Sequence, residues 1–484
     1  MKRMWSVGAC LLLATLFLSP GPLLAQQPQI VVGADDPQID VPAVQAAVDL
    51  GGKILLRGTF DFGTDAGNHI IVPGRPYPAQ DLKSQSTVFI YRHDVSIVGE
   101  TGSAGELLTV VKNGMPPFWI GWDGEILRTE PVDTENVGTE TFPQDAEGRV
   151  AYRDGAVDEG YVGPQTRYAR GYPNVSATVR NIYFDSPRHY GVKVTAGRDV
   201  AVIGNTFRKV QFGGLIHASG FYGPGTSSGA TNIGIAAGGV SLLYAPFIAP
   251  AITGELRIEQ NLVDDVGTQG TPTHFGETFG FVALMTSARV NIQANRIRNV
   301  GRQTDGGFPD VILAGGILVG DNYAAPPLIA KNVIENSLLY GIWDAAFVSL
   351  TPAARIERNS VTDSGFIGIA VESYVGPREG GLVYANVLAQ DARQWPGVSL
   401  IGALALDGCA ISLNALAGDV PLNGIALQGA TNCAVVANKD KRETVSLASP
   451  TYFLDAFSSD NLVKAATGSV VDIGTNNTIL IAKQ

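Results

Sequence analysis

Val200-Ala201-Val202-Ile203-Gly204-Asn205-Thr206-Phe207 is the stretch on which the fold turns, because the chain repeats it. Leu256-Arg257-Ile258-Glu259-Gln260-Asn261-Leu262-Val263 keeps the same frame, as does Val290-Asn291-Ile292-Gln293-Ala294-Asn295-Arg296-Ile297. Looser copies centre on Asn332, Asn359, Asn386, Asn414 and Asn438, spaced 27, 27, 28 and 24 residues apart, with a further candidate at Asn476. Apolar residues at every second position read as a strand with one buried face. One such segment per repeat cannot bury that face alone, so successive copies must stack into a solenoid. Stacked asparagine amides would bond coil to coil, which explains why this residue type holds the position.

A second frame begins at glycine: Gly191, Gly214, Gly280, Gly316, Gly341, Gly368, Gly397 and Gly424, most of them followed by valine, leucine or isoleucine. Asparagine and glycine both tolerate left-handed backbone, so both frames are expected to form corners. Upstream, Val41 to Asp49 has apolar residues at helical spacing, with Pro42 near the first turn and Gly51-Gly52 as the stop. Lys53 to Phe60 then reads as the first strand and turn, so residues 40–60 form a cap over the open end of the stack. Asp94 to Glu100 reads as an early coil, and Val179 to Phe184 as another, shifted by one residue.

These frames and this start resemble the right-handed parallel β-helix proteins of the pectate-lyase-like superfamily, over roughly residues 40–480. The resemblance implies an all-β fold, a right-handed parallel β-helix solenoid with a short N-terminal capping helix and long loop insertions. It carries no catalytic set across. The Arg-x-Pro-x-x-Arg segment of pectate lyases is absent, and so are the Gly-His-Gly and Arg-Ile-Lys segments of polygalacturonase-like hydrolases; the pair Asp264-Asp265 stands without them. Fold membership of this kind permits many functions.

Lys2 and Arg3 precede an apolar stretch from Val7 to Leu18, Ser19-Pro20-Gly21-Pro22 interrupts it, and Leu23-Leu24-Ala25 offers a cleavage site. This reads as a signal peptide over residues 1–25, followed by one β-helix domain over 26–484, secreted or periplasmic and monomeric. No later apolar run is long enough to span a membrane. The net charge of −11, and −13 once Lys2 and Arg3 are removed, argues against nucleic acid and anionic lipid as partners. Only 16% of residues are charged, against about 25% in globular proteins, which fits a long buried interior. Cys409 and Cys433 each lie five residues before a repeat asparagine, in the same slot one coil apart. Two readings stay open for them: small buried side chains stacked in the core, or a disulfide between neighbouring coils.

Departures from the period point to a site. From repeat asparagine to following glycine the count is 9 at Asn205, Asn332 and Asn359 but 19 at Asn261 and 21 at Asn295, so loops near 267–278 and 301–314 are expected at one corner. Further breaks fall near 218–252 and 114–175, the latter rich in aromatics. Long loops on a rigid scaffold commonly carry binding residues. Three residues past the asparagine stand Arg208, Asp264, Arg298, Glu335 and Thr362, one stripe of alternating sign on the outer face, with Lys209 and Asp265 next to it. Read plainly, this is an exposed ion-pair ladder. Read as a site, Arg208, Asp264, Arg298 and Glu335 are the candidate catalytic groups. Lys209, His274, Glu277, Arg302, Asp305, Asp310 and Trp343 are then the candidate substrate contacts, Trp343 by stacking on a sugar ring. Asp264, Asp265 and Glu335 are oxygen ligands of the kind Ca²⁺ takes, although no cofactor is required by the pattern. Asp344, by contrast, falls on an inward position. The expected function is binding of an extracellular or cell-wall polysaccharide, with lyase or glycoside-hydrolase cleavage as its enzymatic form. The alternative is a non-catalytic surface, adhesion or structural β-helix.

Overall fold

The computed structural model describes residues 27–64, 86–114, 116–131, 149–154, 165–187, 190–210, 230–238, 252–267, 276–284, 286–301, 313–347, 350–390, 399–418, 422–442, 445–465 and 469–481. The expected signal peptide lies outside them, as do Gly214, Gly397, His274, Arg302, Asp305 and Asp310. No helix among the described residues is long and apolar enough to cross a membrane.

Three parallel sheets of 15, 11 and 12 strands run the length of the described chain, and each coil places one strand in each sheet in turn. The fold is a right-handed parallel β-helix. Register is what the repeat demands: Val179, Val202, Ile258 and Ile292 follow one another across the 15-stranded sheet, and all four are fully buried. Each such side chain stabilises the stack by about 1.5–3 kcal/mol through removal of apolar surface from water.

The asparagines align in one buried column. Asn205 Nδ2 and backbone N–H both donate to Asn261 Oδ1, at 3.2 and 3.0 Å, and Nδ2 also donates to the Val179 carbonyl at 2.9 Å. The same set repeats from Asn261 through Asn295, Asn332, Asn359, Asn386 and Asn414 to Asn438. The left-handed corner, however, belongs to the residue before each asparagine: Gly204, Gln260, Ala294, Lys331, Arg358, Ala385, Leu413 and Ala437 all have φ between 53° and 64°. Asparagine is selected for its amide, not for its backbone. Asn181 is itself such a corner residue, with φ 59°, and Ile182 takes the ladder position after it, which accounts for the one-residue shift of that coil. Asn476 (φ 56°) is likewise a corner residue outside the ladder. It precedes Asn477, which joins Asn461 in a column at the start of the 15-stranded sheet's strands.

That second column continues the cysteine slot, since Cys433 N–H donates to Asn461 Oδ1. Cys409 and Cys433 form a disulfide between adjacent coils, with Cα atoms 4.4 Å apart. The repeated glycines are corrected in a similar way to the asparagines. Gly316 has no left-handed φ; a Cβ there would stand 2.6 Å from the Ile334 side chain and 2.7 Å from the Gly341 carbonyl. Glycine is needed because backbone passes so close to the neighbouring coil.

At the N-terminus the helix runs Pro37–Leu50, with Asp36 as N-cap and Pro37 in its first turn, so Pro42 is interior. Gly51 ends it with φ 75°. The first strand is Gln29–Val32, which precedes the helix and pairs with Gly52–Arg57. Val41, Val44, Ala47 and Val48 close the end of the apolar interior. Buried Asp40 ties this cap together by accepting from the backbone N–H groups of Ala34, Asp36 and Asp61 at 2.7, 3.0 and 2.8 Å.

The insertions also move. Phe118–Ile120, inside the expected 114–175 break, is a strand of the 12-stranded sheet. Trp122–Pro131, Arg149–Asp154 and Gln165–Gly171 form a separate antiparallel sheet beyond it. Ala230–Gly238, inside the expected 218–252 excursion, is also a strand of the 12-stranded sheet, paired with Gly276–Leu284. The Asn205 coil is therefore interrupted at the same place as its two successors. In three successive coils the chain leaves the 11-stranded sheet at Val210, Val266 and Val300 and enters the 12-stranded sheet at Ala230, Gly276 and Leu313.

Candidate functional site

Charge gathers on the 11-stranded side of this interrupted edge. The predicted stripe is in register: Arg208 pairs with Asp264, Asp264 with Arg298, Arg298 with Glu335, and Glu335 with Thr362. It also extends further than the asparagine frame reveals, because Asp61, Lys112 and Asp185 precede Arg208 in the same row. Seven successive coils thus carry charges of alternating sign. Alternation with the core residues Val263, Ile297 and Ile334 sets these side chains outward.

Asp264 is outward yet only 4% exposed, because its neighbours close over it. Oδ2 accepts from Arg298 Nη2 at 2.8 Å and lies 3.5 Å from Arg208 Nη2, while Oδ1 accepts from Asn299 Nδ2 at 2.9 Å. Burial works to raise its pKa, but the bonds from Arg298 and Asn299 and the charges of Arg298 and Arg208 outweigh it and hold the carboxyl below its ordinary value. Arg298 is correspondingly raised by the bond and charge of Asp264. Glu335 is half exposed and pairs with Arg296 at 3.0 Å. Arg298 stands between Asp264 and Glu335, so these carboxylates do not converge as the Ca²⁺ reading requires. Among the described residues no group of three or more His, Cys, Asp or Glu comes together for a metal.

Lys209 and Asp265 occupy the corner after the stripe, with φ of 51° and 68°, and Asn113, Ser186, Asn299, Asn336 and Asp363 share it at φ 53–60°. Asn336 Nδ2 donates to Asn299 Oδ1 at 2.9 Å, so this corner carries amide bonds of its own. Glu277 lies in strand Gly276–Leu284, across the same edge.

The 12-stranded side differs in chemistry. Phe89, Trp119, Lys193, Ala236, Val282, Leu318, Trp343 and Ala370 succeed one another in an outer row. Trp343 is on the outer face as alternation requires, but it is 3% exposed and not open as a free platform. Tyr340 stacks on it at 4.4 Å and Phe347 meets it edge-on at 5.3 Å. Lys193 Nζ lies 4.2 Å from the Trp119 ring centre and 4.5 Å from that of Tyr190. Glu372, in the adjacent row, is buried and accepts from Trp343 Nε1 at 2.7 Å. Neither Lys193 nor Glu372 is marked by the asparagine frame. The available signal is a charged residue within an otherwise apolar strand, as in Tyr190–Val194 and Ile367–Ser373.

Asp344 is inward, as its position requires, and is paired with Arg378 Nη2 at 3.0 Å, both being almost wholly buried. Arg378 Nε also donates to the Thr351 carbonyl at 2.7 Å, and the Ala354 N–H donates to Asp344 Oδ2 at 2.6 Å. This pair is an internal strut and faces no solvent.

No family model matches the chain, and no curated protein matches it. Several solved structures are similar in fold. The periplasmic alginate epimerase AlgG, in a variant form, is 10% identical over 89% of this chain and 85% of that chain, with a TM-score of 0.39. PfbA, a surface adhesin of Streptococcus pneumoniae, is 12% identical over 93% and 88%, with a TM-score of 0.38. A tailspike protein of E. coli bacteriophage HK620, also a variant, is 10% identical over 92% and 75%, with a TM-score of 0.39. The likeness is one of fold alone.

Proposed function

We propose that this protein is exported and binds an extracellular or cell-wall polysaccharide along the edge between the 11- and 12-stranded sheets. The observation that carries the reading is the interruption of three successive coils at that one edge, at Val210, Val266 and Val300. Coils about 4.8 Å apart offer a polymer a regular series of positions, with a charged row on one side and a mostly apolar row, aliphatic in the interrupted coils, on the other. Arg208, Asp264, Arg298 and Glu335, with Lys209, form the charged wall. Glu277, at the start of the strand across the edge, and His274, Arg302, Asp305 and Asp310, which lie outside the described residues, are the further candidate contacts. The N-terminal residues 1–25 supply the export signal.

Asp264 favours binding over acid–base cleavage at this wall. A carboxylate held charged by two guanidinium groups is a poor proton carrier near neutral pH. Binding by a surface protein is therefore the form of the function that the charged row supports, with lyase or hydrolase chemistry as its enzymatic rival. Titration of the purified protein against a panel of plant, bacterial and algal polysaccharides tests the reading, with new reducing ends and unsaturated uronate absorbance followed in the same samples. Binding without either product is the expected result. Failure to bind any polymer would refute the proposal, and release of products would transfer it to the enzymatic form.

A further inference from the structure

Glu372 is a carboxyl group that the charged wall does not use. It lies in strand Ile367–Ser373, between inward-facing Val371 and the exposed turn at Tyr374 and Val375. Glu372 itself is 6% exposed and Tyr374 is 53% exposed. One carboxylate oxygen, Oε2, accepts from Trp343 Nε1 at 2.7 Å and from the Tyr374 hydroxyl at 2.5 Å. The other, Oε1, receives no hydrogen bond among the described residues. Tyr340, Trp343 and Phe347 pack together at ring distances of 4.4 and 5.3 Å, and Phe347 lies parallel to Tyr374 at 5.7 Å.

A carboxyl group sunk in an aromatic wall is costly unless its acceptor capacity is used. Burial raises the Glu372 pKa, the bonds from Tyr374 and Trp343 pull it down, and the nearby charge of Asp344 pushes it up again. The neighbouring guanidinium does not offset this: Arg378 is spent on Asp344 and on the Thr351 and Pro352 carbonyls. A ligand carboxylate would therefore meet like charge and, among the described residues, no free guanidinium beside it. A ligand with an apolar ring face and a hydroxyl edge would meet stacked rings and an open acceptor.

We propose that Glu372, Trp343 and Tyr374 form a subsite for an uncharged sugar ring, which lies against Tyr374 and Phe347 and directs a hydroxyl to Glu372 Oε1. The subsite rests on the polysaccharide reading above, lies at the far ends of the 12-stranded sheet's strands from the interrupted edge, and narrows the ligand to neutral hexose or pentose units at this point. The test uses isothermal titration calorimetry of the full chain with three probes: cellohexaose, mannohexaose and hexagalacturonate. Wild type should bind a neutral hexasaccharide more tightly than hexagalacturonate. Tyr374→Ala should weaken that binding about tenfold, whereas Tyr374→Phe, which keeps the ring, should stay within about threefold of wild type. Glu372→Gln should weaken it as well, with the melting temperatures of all variants recorded as the folding control. Neutral-sugar binding that survives Tyr374→Ala intact, or a preference for the uronate probe, would overturn the subsite. If Lys209→Ala abolishes polysaccharide binding while Tyr374→Ala does not, the subsite falls and the function stands. If wild type binds no polysaccharide, both fall.

Discussion

Asn332→Ala and Lys331→Gly are adjacent substitutions for which the structure requires different outcomes. Asn332 is fully buried. Its Oδ1 receives the Asn295 backbone N–H at 3.1 Å and the Asn295 amide at 2.9 Å. Its Nδ2 donates to Asn359 Oδ1 at 3.0 Å and to the Ile292 carbonyl at 2.9 Å. Alanine removes all four bonds. Asn295 Nδ2 still reaches the Ile258 carbonyl and Asn359 Oδ1 still receives the Asn332 N–H, so the Asn295 N–H and the Ile292 carbonyl bear the loss. Two buried polar groups deprived of partners cost about 1–3 kcal/mol each, and the small void left behind adds to this. The expected loss is about 3–5 kcal/mol. Lys331 is exposed and has φ 58°. A left-handed conformation costs a non-glycine residue about 1–2 kcal/mol, and glycine relieves it while adding about 0.5–1 kcal/mol of unfolded-state freedom. Lys331→Gly should therefore be neutral or stabilising by up to about 1 kcal/mol. Urea unfolding followed by circular dichroism would measure both, with m-values compared because long repeat arrays can unfold in parts. Asn332→Ala within about 0.5 kcal/mol of wild type would refute the reasoning, since that is the range of an ordinary surface substitution. A loss above about 1 kcal/mol for Lys331→Gly would refute the backbone half of it.

Three further outcomes follow from other contacts. Arg378→Met should destabilise by about 3–5 kcal/mol in the same assay, because it leaves buried Asp344 without its cation; adding Asp344→Leu should recover part of the loss. Intact-mass measurement under non-reducing conditions should find Cys409 and Cys433 joined, and Cys409→Ser with Cys433→Ser should cost about 3 kcal/mol for a loop of this length. Asp264 is held below its ordinary pKa in the folded chain, so its contribution is present above the unfolded value of about 3.9 and is lost as pH falls through the lower folded value. Asp264→Asn should therefore lower the melting temperature at neutral pH and converge with wild type in acid; a constant gap across pH would contradict the assignment.

The solenoid was legible because its cause is periodic. Residues such as Asn332 and Asn359 share one environment coil after coil, so one physical demand leaves the same letter each time. The inward row and the order of charges from Arg208 to Glu335 could be read for the same reason, whereas the start of the cap, which lies outside the period, could not: the helix begins at Pro37 and a strand precedes it. Backbone conformation could not. Corner positions hold Ala294, Lys331 and Leu413 as readily as Gly204, because the neighbouring amide column stabilises a φ that their side chains disfavour. Glycine, for its part, marks close approach between coils.

Sequence alone determined that coils stack, which face of each strand is buried, and that charges alternate along one outer row. Only the tertiary structure decided where the coils are interrupted: pairing of Ile235 with Val192 and Phe281 puts the glycine frame of the Asn205 coil at Gly234-Ile235, in Ala230–Gly238, and not at Gly214-Leu215 as the count from Asn205 suggests. It also decided that Asp264 is closed over by arginines, that Trp343 is covered, and that Glu372 takes its bonds from Trp343 and Tyr374 on one oxygen. The physical reason is that a period records what every coil has in common, whereas a site is built from contacts that a single set of neighbours makes once.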